Sequence, residues 1–219
     1  MEQALLCDRI ARGLGAAARR IGAPHDLHRP TGARNPMAPA TRILRLHAAF
    51  NAEDPAWRKP RGYGSALWHG VFDTAYTRPG DILLGPGGAW FVAEQEPLLA
   101  PLLVRCNRTV DLLRPEAPVA AGLNGYGGVT RASRVPLLTG WPASILAAGH
   151  AGGDRLGLPA DARVAAWQVL LPRLPAGTLA GPVRPGDQLA DEAGRGFTVS
   201  SAEETALGWR IAATLSMSS

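Results

Sequence analysis

The chain has 219 residues, enough for one medium domain or two small ones, and its 46% apolar content allows a packed core. Its 26 glycines and 19 prolines stop short of a disordered composition but favour short strands and turns over long helices. The net charge of +5 rests on arginine, with Lys59 the single lysine, and the two cysteines, Cys7 and Cys106, exclude a disulfide framework.

No apolar run approaches the ~18 residues of a membrane span. Arg9, Arg12, Arg19 and Arg20 interrupt the N-terminus where a secretory leader would be apolar. A soluble intracellular product without a membrane span is therefore expected. The arginine bias reflects GC-rich coding more than nucleic-acid binding, although a modest positive balance suits contact with DNA or acidic partners.

Glu2 to Ile21 is predicted to be a helix. Leu6, Ile10, Leu14, Ala17 and Ile21 recur every three or four residues as one apolar stripe, and Gly22 and Pro24 stop it. The stripe is thin, so the helix is expected to pack on a partner. Ala23 to Pro39, with four prolines plus His25 and His28, is expected to be a loop. Ile43–His47 alternates as a half-buried strand does, and Asn51–Ser65 is again irregular.

Strands are predicted at Leu67–Phe72, Ile82–Leu84, Ala89–Ala93, Leu102–Arg105 and Thr109–Leu113. Pro115–Gly128 is rich in Gly, Pro and Ala and is taken as a module boundary. Further strands are expected at Val135–Thr139, Ser144–Ala148, Ala165–Leu171 and Trp209–Leu215, with a bend at Gly149–Gly157.

The strongest internal signal is a repeat. Shifted by 106 residues, RPGDILLGPGGAWF (78–91) lies over RPGDQLADEAGRGF (184–197) without a gap, with 7 of 14 positions identical. Arg78, Pro79, Gly80 and Asp81 match Arg184, Pro185, Gly186 and Asp187. The Pro-Gly pair turns the chain and the aspartate is expected to lock that turn through backbone amides. Leu83 with Phe91, and Leu189 with Phe197, are expected to anchor the core of each hairpin. The predicted fold is mainly β: two small antiparallel β-barrel-like modules with an N-terminal helix and long Gly/Pro-rich loops. The expected organisation is a helix and extended arm over 1–65, a first β module over 66–115, and a second, with its connecting segment, over 116–219.

Asp81 and Asp187 could form a pair like that of aspartic proteases, but those enzymes follow Asp with a small hydroxyl residue and Gly, whereas Ile82 and Gln188 follow here. Turn locking is the preferred role, and Glu94 is the remaining acid of interest for a hydrolase. The histidines are too scattered for a ligand set, Cys106 has no nucleophile motif around it, and the glycine runs at 125–128 and 149–153 do not continue into a phosphate loop. No catalytic, cofactor-binding or metal site is expected, and no cofactor. Arg105, Arg108, Arg114, Arg131 and Arg134 could form a basic surface. Most of the six tryptophans read as core or interface anchors and not as a stacking platform.

The stretch YTRPGDILLGPGGAWFVAEQEPLLAPLLVRCNRTVDLLRP resembles structural proteins of tailed bacteriophages and prophages, in particular the β-barrel head–tail joining and head-closure proteins of the neck. RPGDQLADEAGRGFTVSSAEETALGWRIAATL is similar again. The resemblance covers Trp68–Pro115 and Trp167–Leu215. It implies a structural, non-catalytic virion assembly protein of the neck or tail, assembled in the bacterial host cytoplasm as a ring-like homo-oligomer. Portal, adaptor or tail proteins would be its neighbours, with possible contact to packaged DNA. The alternative reading is a nucleic-acid-binding tandem β-barrel protein.

Overall fold

The structure is a computed structural model that describes residues 2–52, 66–116, 134–147 and 166–216. Arg131, one tryptophan (Trp57), one histidine (His150), the glycine runs at 125–128 and 149–153 and the predicted bend at Gly149–Gly157 lie outside the described residues.

After helix α1 (Glu2–Ile21) come β1 (Ala23–His28), β2 (Arg42–Ala52), β3 (Leu67–Val71), β4 (Ile82–Gly85), β5 (Gly88–Glu94) and β6 (Leu102–Cys106). They close into one antiparallel barrel in the order β1-β2-β3-β6-β5-β4. The second barrel comprises β7 (Arg108–Pro115), β8 (Arg134–Ala147), β9 (Ala166–Leu171), β10 (Gln188–Asp191), β11 (Gly196–Thr205) and β12 (Gly208–Ser216). Its order, β7-β8-β9-β12-β11-β10, is that of the first barrel strand for strand. Closure pairs every strand on both sides, so neither sheet offers an open edge.

The mainly β fold, the two barrels and the N-terminal helix are as expected, but the boundaries differ. The first barrel begins at Ala23, within the predicted arm, and the second begins at Arg108, within the predicted first module. The chain passes between them through Asn107 alone. Its side-chain amide donates to the Ile145 carbonyl and accepts from the Ile145 amide, both at 2.8 Å, which ties the crossover to β8.

The predicted loop at Ala23–Pro39 opens instead as β1. Pro24 and two histidines obscure its alternation, yet Leu27 and His28 are buried and β1 pairs with β2 and β4. The two strands predicted at Val135–Thr139 and Ser144–Ala148 are one 14-residue strand, β8. It bends at Gly140, where φ is +67°.

Helix α1 spans the predicted residues but buries a different face. Ala11, Gly15 and Ala18 turn toward β2 and β3, while Leu6 stays exposed and Ile21 is 69% exposed. Small side chains let the helix backbone approach the sheet. At Gly22 the approach is so close that a Cβ would lie 2.6 Å from the Ala48 carbonyl. The apolar stripe lies roughly 100° around the helix from that contact, given 100° of rotation per residue.

The repeated hairpins hide a one-residue difference that the gapless alignment conceals. In the first, Gly85 pairs with Gly88, so Ile82 faces Phe91 across the ladder and Leu83 faces Trp90. In the second, the pairing is displaced by one residue from the aligned positions, with Ala190 opposite Gly196, and Leu189 faces Phe197 directly. A shift of one residue exchanges the two faces of a strand. Phe197 therefore packs inside its barrel with Leu189, as expected. Phe91 does not pack beside Leu83. Trp90 takes that interior place, stacked on Phe50 at 4.3 Å between ring centres. Phe91 turns outward with Ile82, Ala93 and Val104 into the seam, against Leu170 and Leu207 of the second barrel.

Candidate functional site

The RPGD turn of each barrel has the same construction. Asp81 accepts the Arg78 amide at 3.1 Å, and Asp187 accepts the Arg184 amide at 3.0 Å. The glycine amide of each turn donates to the returning strand, Gly80 to the Val92 carbonyl at 2.8 Å and Gly186 to the Val199 carbonyl at 2.9 Å. Gly80 and Gly186 have φ of +94° and +90°, a region that L side chains rarely adopt.

These two glycines differ in their surroundings, and substitution should reveal it. A Cβ at Gly186 would meet nothing within 4 Å, whereas one at Gly80 would lie 2.9 Å from the Arg173 carbonyl. Gly186→Ala is expected to cost about 1 kcal/mol from backbone strain alone. Gly80→Ala should cost clearly more, because a backbone oxygen of the other barrel must move as well. Urea unfolding of both variants checks this, and equal losses would contradict it.

Both aspartates are only 1% exposed, and each is clamped by an arginine that the repeat does not contain. Arg29 donates Nε to Asp81 Oδ1 at 2.9 Å and Nη2 to Asp81 Oδ2 at 2.7 Å, and Nη2 also reaches the Tyr76 carbonyl at 3.1 Å. Arg114 repeats the arrangement on Asp187 with both bonds at 2.8 Å, and reaches the Pro182 carbonyl at 2.8 Å. A bidentate guanidinium–carboxylate pair is both strong and directional. Burial alone would raise the Asp187 carboxyl. The Arg114 guanidinium and the Arg184 amide outweigh it and hold Asp187 below the ordinary carboxylate range.

The clamping arginines have a sequence signal of their own. Asp26-Leu-His-Arg-Pro30 and Asp111-Leu-Leu-Arg-Pro115 share four of five residues at an offset of 85. The first is the end of β1 with the two residues that follow, and the second is the end of β7. Leu27 and Leu112 point inward and Arg29 and Arg114 close the clamp. The offset of 106 skips them because the chain between the two motifs is longer in the second barrel.

Arg114 thus belongs to a buried pair, not to an open basic surface. Arg108 is likewise engaged, 3.8 Å from Asp191 and 3.6 Å from Glu192. Arg105 lies over Trp68 and Trp90, at 5.9 and 5.5 Å from the ring centres. Trp90, Trp141 and Trp209 are buried, as core anchors are.

Asp81 and Asp187 sit in separate barrels with separate arginines, so the fold does not bring them together as a pair. Glu94 lies exposed at the end of β5. Desolvation raises the Cys106 thiol, which is therefore protonated at neutral pH and a poor nucleophile. His25 Nδ1 donates to the Ala23 carbonyl at 2.8 Å and His28 Nδ1 lies 3.1 Å from Thr41 Oγ1. Among the described residues, no cluster of three or more His, Cys, Asp or Glu side chains is placed to hold a metal ion.

Two depressions mark the barrel junction. The larger, about 510 Å³, is an apolar cleft lined by Leu67, Phe91 and Val104 of the first barrel and Leu146, Leu170 and Trp209 of the second. The smaller, about 220 Å³, is polar and lies between the Arg78–Asp81 turn and the segment from Arg173 to Ala176. The loop after β1 also crosses the junction. The Ala33 carbonyl accepts from the Thr139 amide and from Trp141 Nε1, both at 2.9 Å.

No protein-family model, no curated protein and no solved structure matches this chain.

Proposed function

We propose that this chain is a structural, non-catalytic virion assembly protein of the neck or tail of a tailed bacteriophage. It assembles in the bacterial host cytoplasm as a ring-like homo-oligomer, between portal, adaptor or tail proteins. One observation supports the assembly reading most directly. Two like barrels are joined through a single pinned residue, while large apolar side chains remain uncovered at Leu5, Leu6 and Ile21 on α1 and at Leu98 and Leu99 between β5 and β6. Exposed apolar surface of this kind marks contact with other proteins. A unit held together at its own seam can present such surface without losing its shape.

The reading predicts a concentration-dependent oligomer by size-exclusion chromatography with light scattering. The double variant Leu98→Glu/Leu99→Glu should shift it toward monomer with little change in thermal unfolding, because both positions are exposed. Mass spectrometry of purified particles should find the chain in virions. A monomer at every concentration, together with absence from particles, overturns the reading.

A further inference from the structure

We propose that the polar pocket at the junction of the two barrels binds a phosphate group through Arg29, Arg78 and Arg173. This inference is independent of the assembly reading above. The pocket, about 220 Å³, is walled on one side by the first RPGD turn and on the other by the segment that follows β9. Three arginines, Arg29, Arg78 and Arg173, line it together with one acidic residue, Asp81. That carboxylate is buried and committed: both oxygens are taken by Arg29, and Oδ2 also accepts the Arg78 amide. The Arg78 side chain is 63% exposed and only reaches to 3.8 Å of Asp81, which leaves its donors for a ligand. Arg173 is exposed and comes from the other barrel.

The excess of two positive charges and the forked guanidinium donors suit a tetrahedral oxyanion. Gly80 lets the two walls approach, since a Cβ there would press on the Arg173 carbonyl. The second RPGD turn is not roofed in this way, because nothing lies within 4 Å of the corresponding point at Gly186. Among the described residues the site therefore occurs once, at the junction, although its turn is present twice. A free phosphate or phosphate monoester and a backbone phosphate of DNA would present the same chemistry to it.

The test is titration of the full chain with inorganic phosphate, followed by calorimetry at constant ionic strength against acetate. Saturable binding of one phosphate per chain is expected. The double variant Arg78→Ala/Arg173→Ala should bind about fivefold more weakly for each arginine removed, the size expected of partly exposed charge pairs. Arg20→Ala, on the outer face of α1, should bind as the parent does, and unchanged melting of the double variant shows that it is folded. In a second arm a short DNA duplex replaces phosphate. Duplex binding lost in the same double variant assigns the site to a nucleic-acid backbone, while phosphate binding alone assigns it to a small phosphate; either supports the site. Phosphate no better than acetate, or a double variant with full affinity, overturns it.

Discussion

Trp141→Ala should lower the stability of the protein by about 3–5 kcal/mol, the range for an aromatic side chain removed from a packed core. Trp141 is 0% exposed and is the largest of the fully buried side chains. It sits just beyond the bend of β8 at Gly140, inside the second barrel with Leu112, Leu138 and Phe197. Its indole also holds the loop after β1 by donating to the Ala33 carbonyl. The alanine variant therefore loses a core and loosens a tie between the barrels. Trp141→Phe keeps most of the apolar packing and loses that hydrogen bond, so a smaller loss of about 1–2 kcal/mol is expected. Urea unfolding gives both values. Hydrogen exchange at the Thr139 amide, which shares the Ala33 carbonyl, should rise in the alanine variant. A loss below about 1 kcal/mol for Trp141→Ala would show that the barrel closes around the gap.

Arg114→Ala should be comparably severe, costing on the order of 3 kcal/mol, because it leaves Asp187 buried and charged without its partner. Removing both residues, as Arg114→Ala/Asp187→Ala, should restore part of that loss, since the uncompensated charge disappears with its partner. The pH dependence separates this account from simple loss of packing. In the parent, Asp187 titrates below its ordinary value of 3.8. Its contribution to stability is then complete above that value and is lost as the pH falls through the lower, folded value. In Arg114→Ala the two contributions of the guanidinium that lower Asp187 are gone and its carboxyl moves upward, so acid costs the variant less than it costs the parent. The stability gap between them should narrow from pH 7 toward pH 3. A gap that stays constant over that range would mean that Arg114 acts through its hydrocarbon stem alone.

The clamp shows how far a local repeat can be read. Arg78–Asp81 and Arg184–Asp187 are legible because turn chemistry is local: Pro and Gly bend the chain, and an aspartate reaches an amide three residues back. The arginines that complete the clamp are 52 and 73 residues from their aspartates, and no spacing rule connects them. Their own motif, DLHRP and DLLRP, is present in the chain but lies at another offset. The Gly/Pro-rich stretch after Pro115 drew the predicted boundary away from Asn107, where strand follows strand with one residue between.

The helix at Glu2–Ile21, most of the strands and the two-barrel class were determined by the sequence itself, through periodicity, caps and turn residues that act within a few positions. Only the tertiary structure decided which faces those elements bury. The helix stripe of Leu6 and Ile21 loses to Ala11, Gly15 and Ala18, because a close backbone approach to the barrel needs small side chains there. Phe91 and Phe197 occupy the same place in a seven-residue match and opposite faces in the fold, because the pairing of the second hairpin is displaced by one residue from the aligned positions. Outward rotation of Phe91 supplies the apolar seam on which the second barrel rests. Burial and register depend on what the rest of the chain places opposite, and that is settled only when both barrels close.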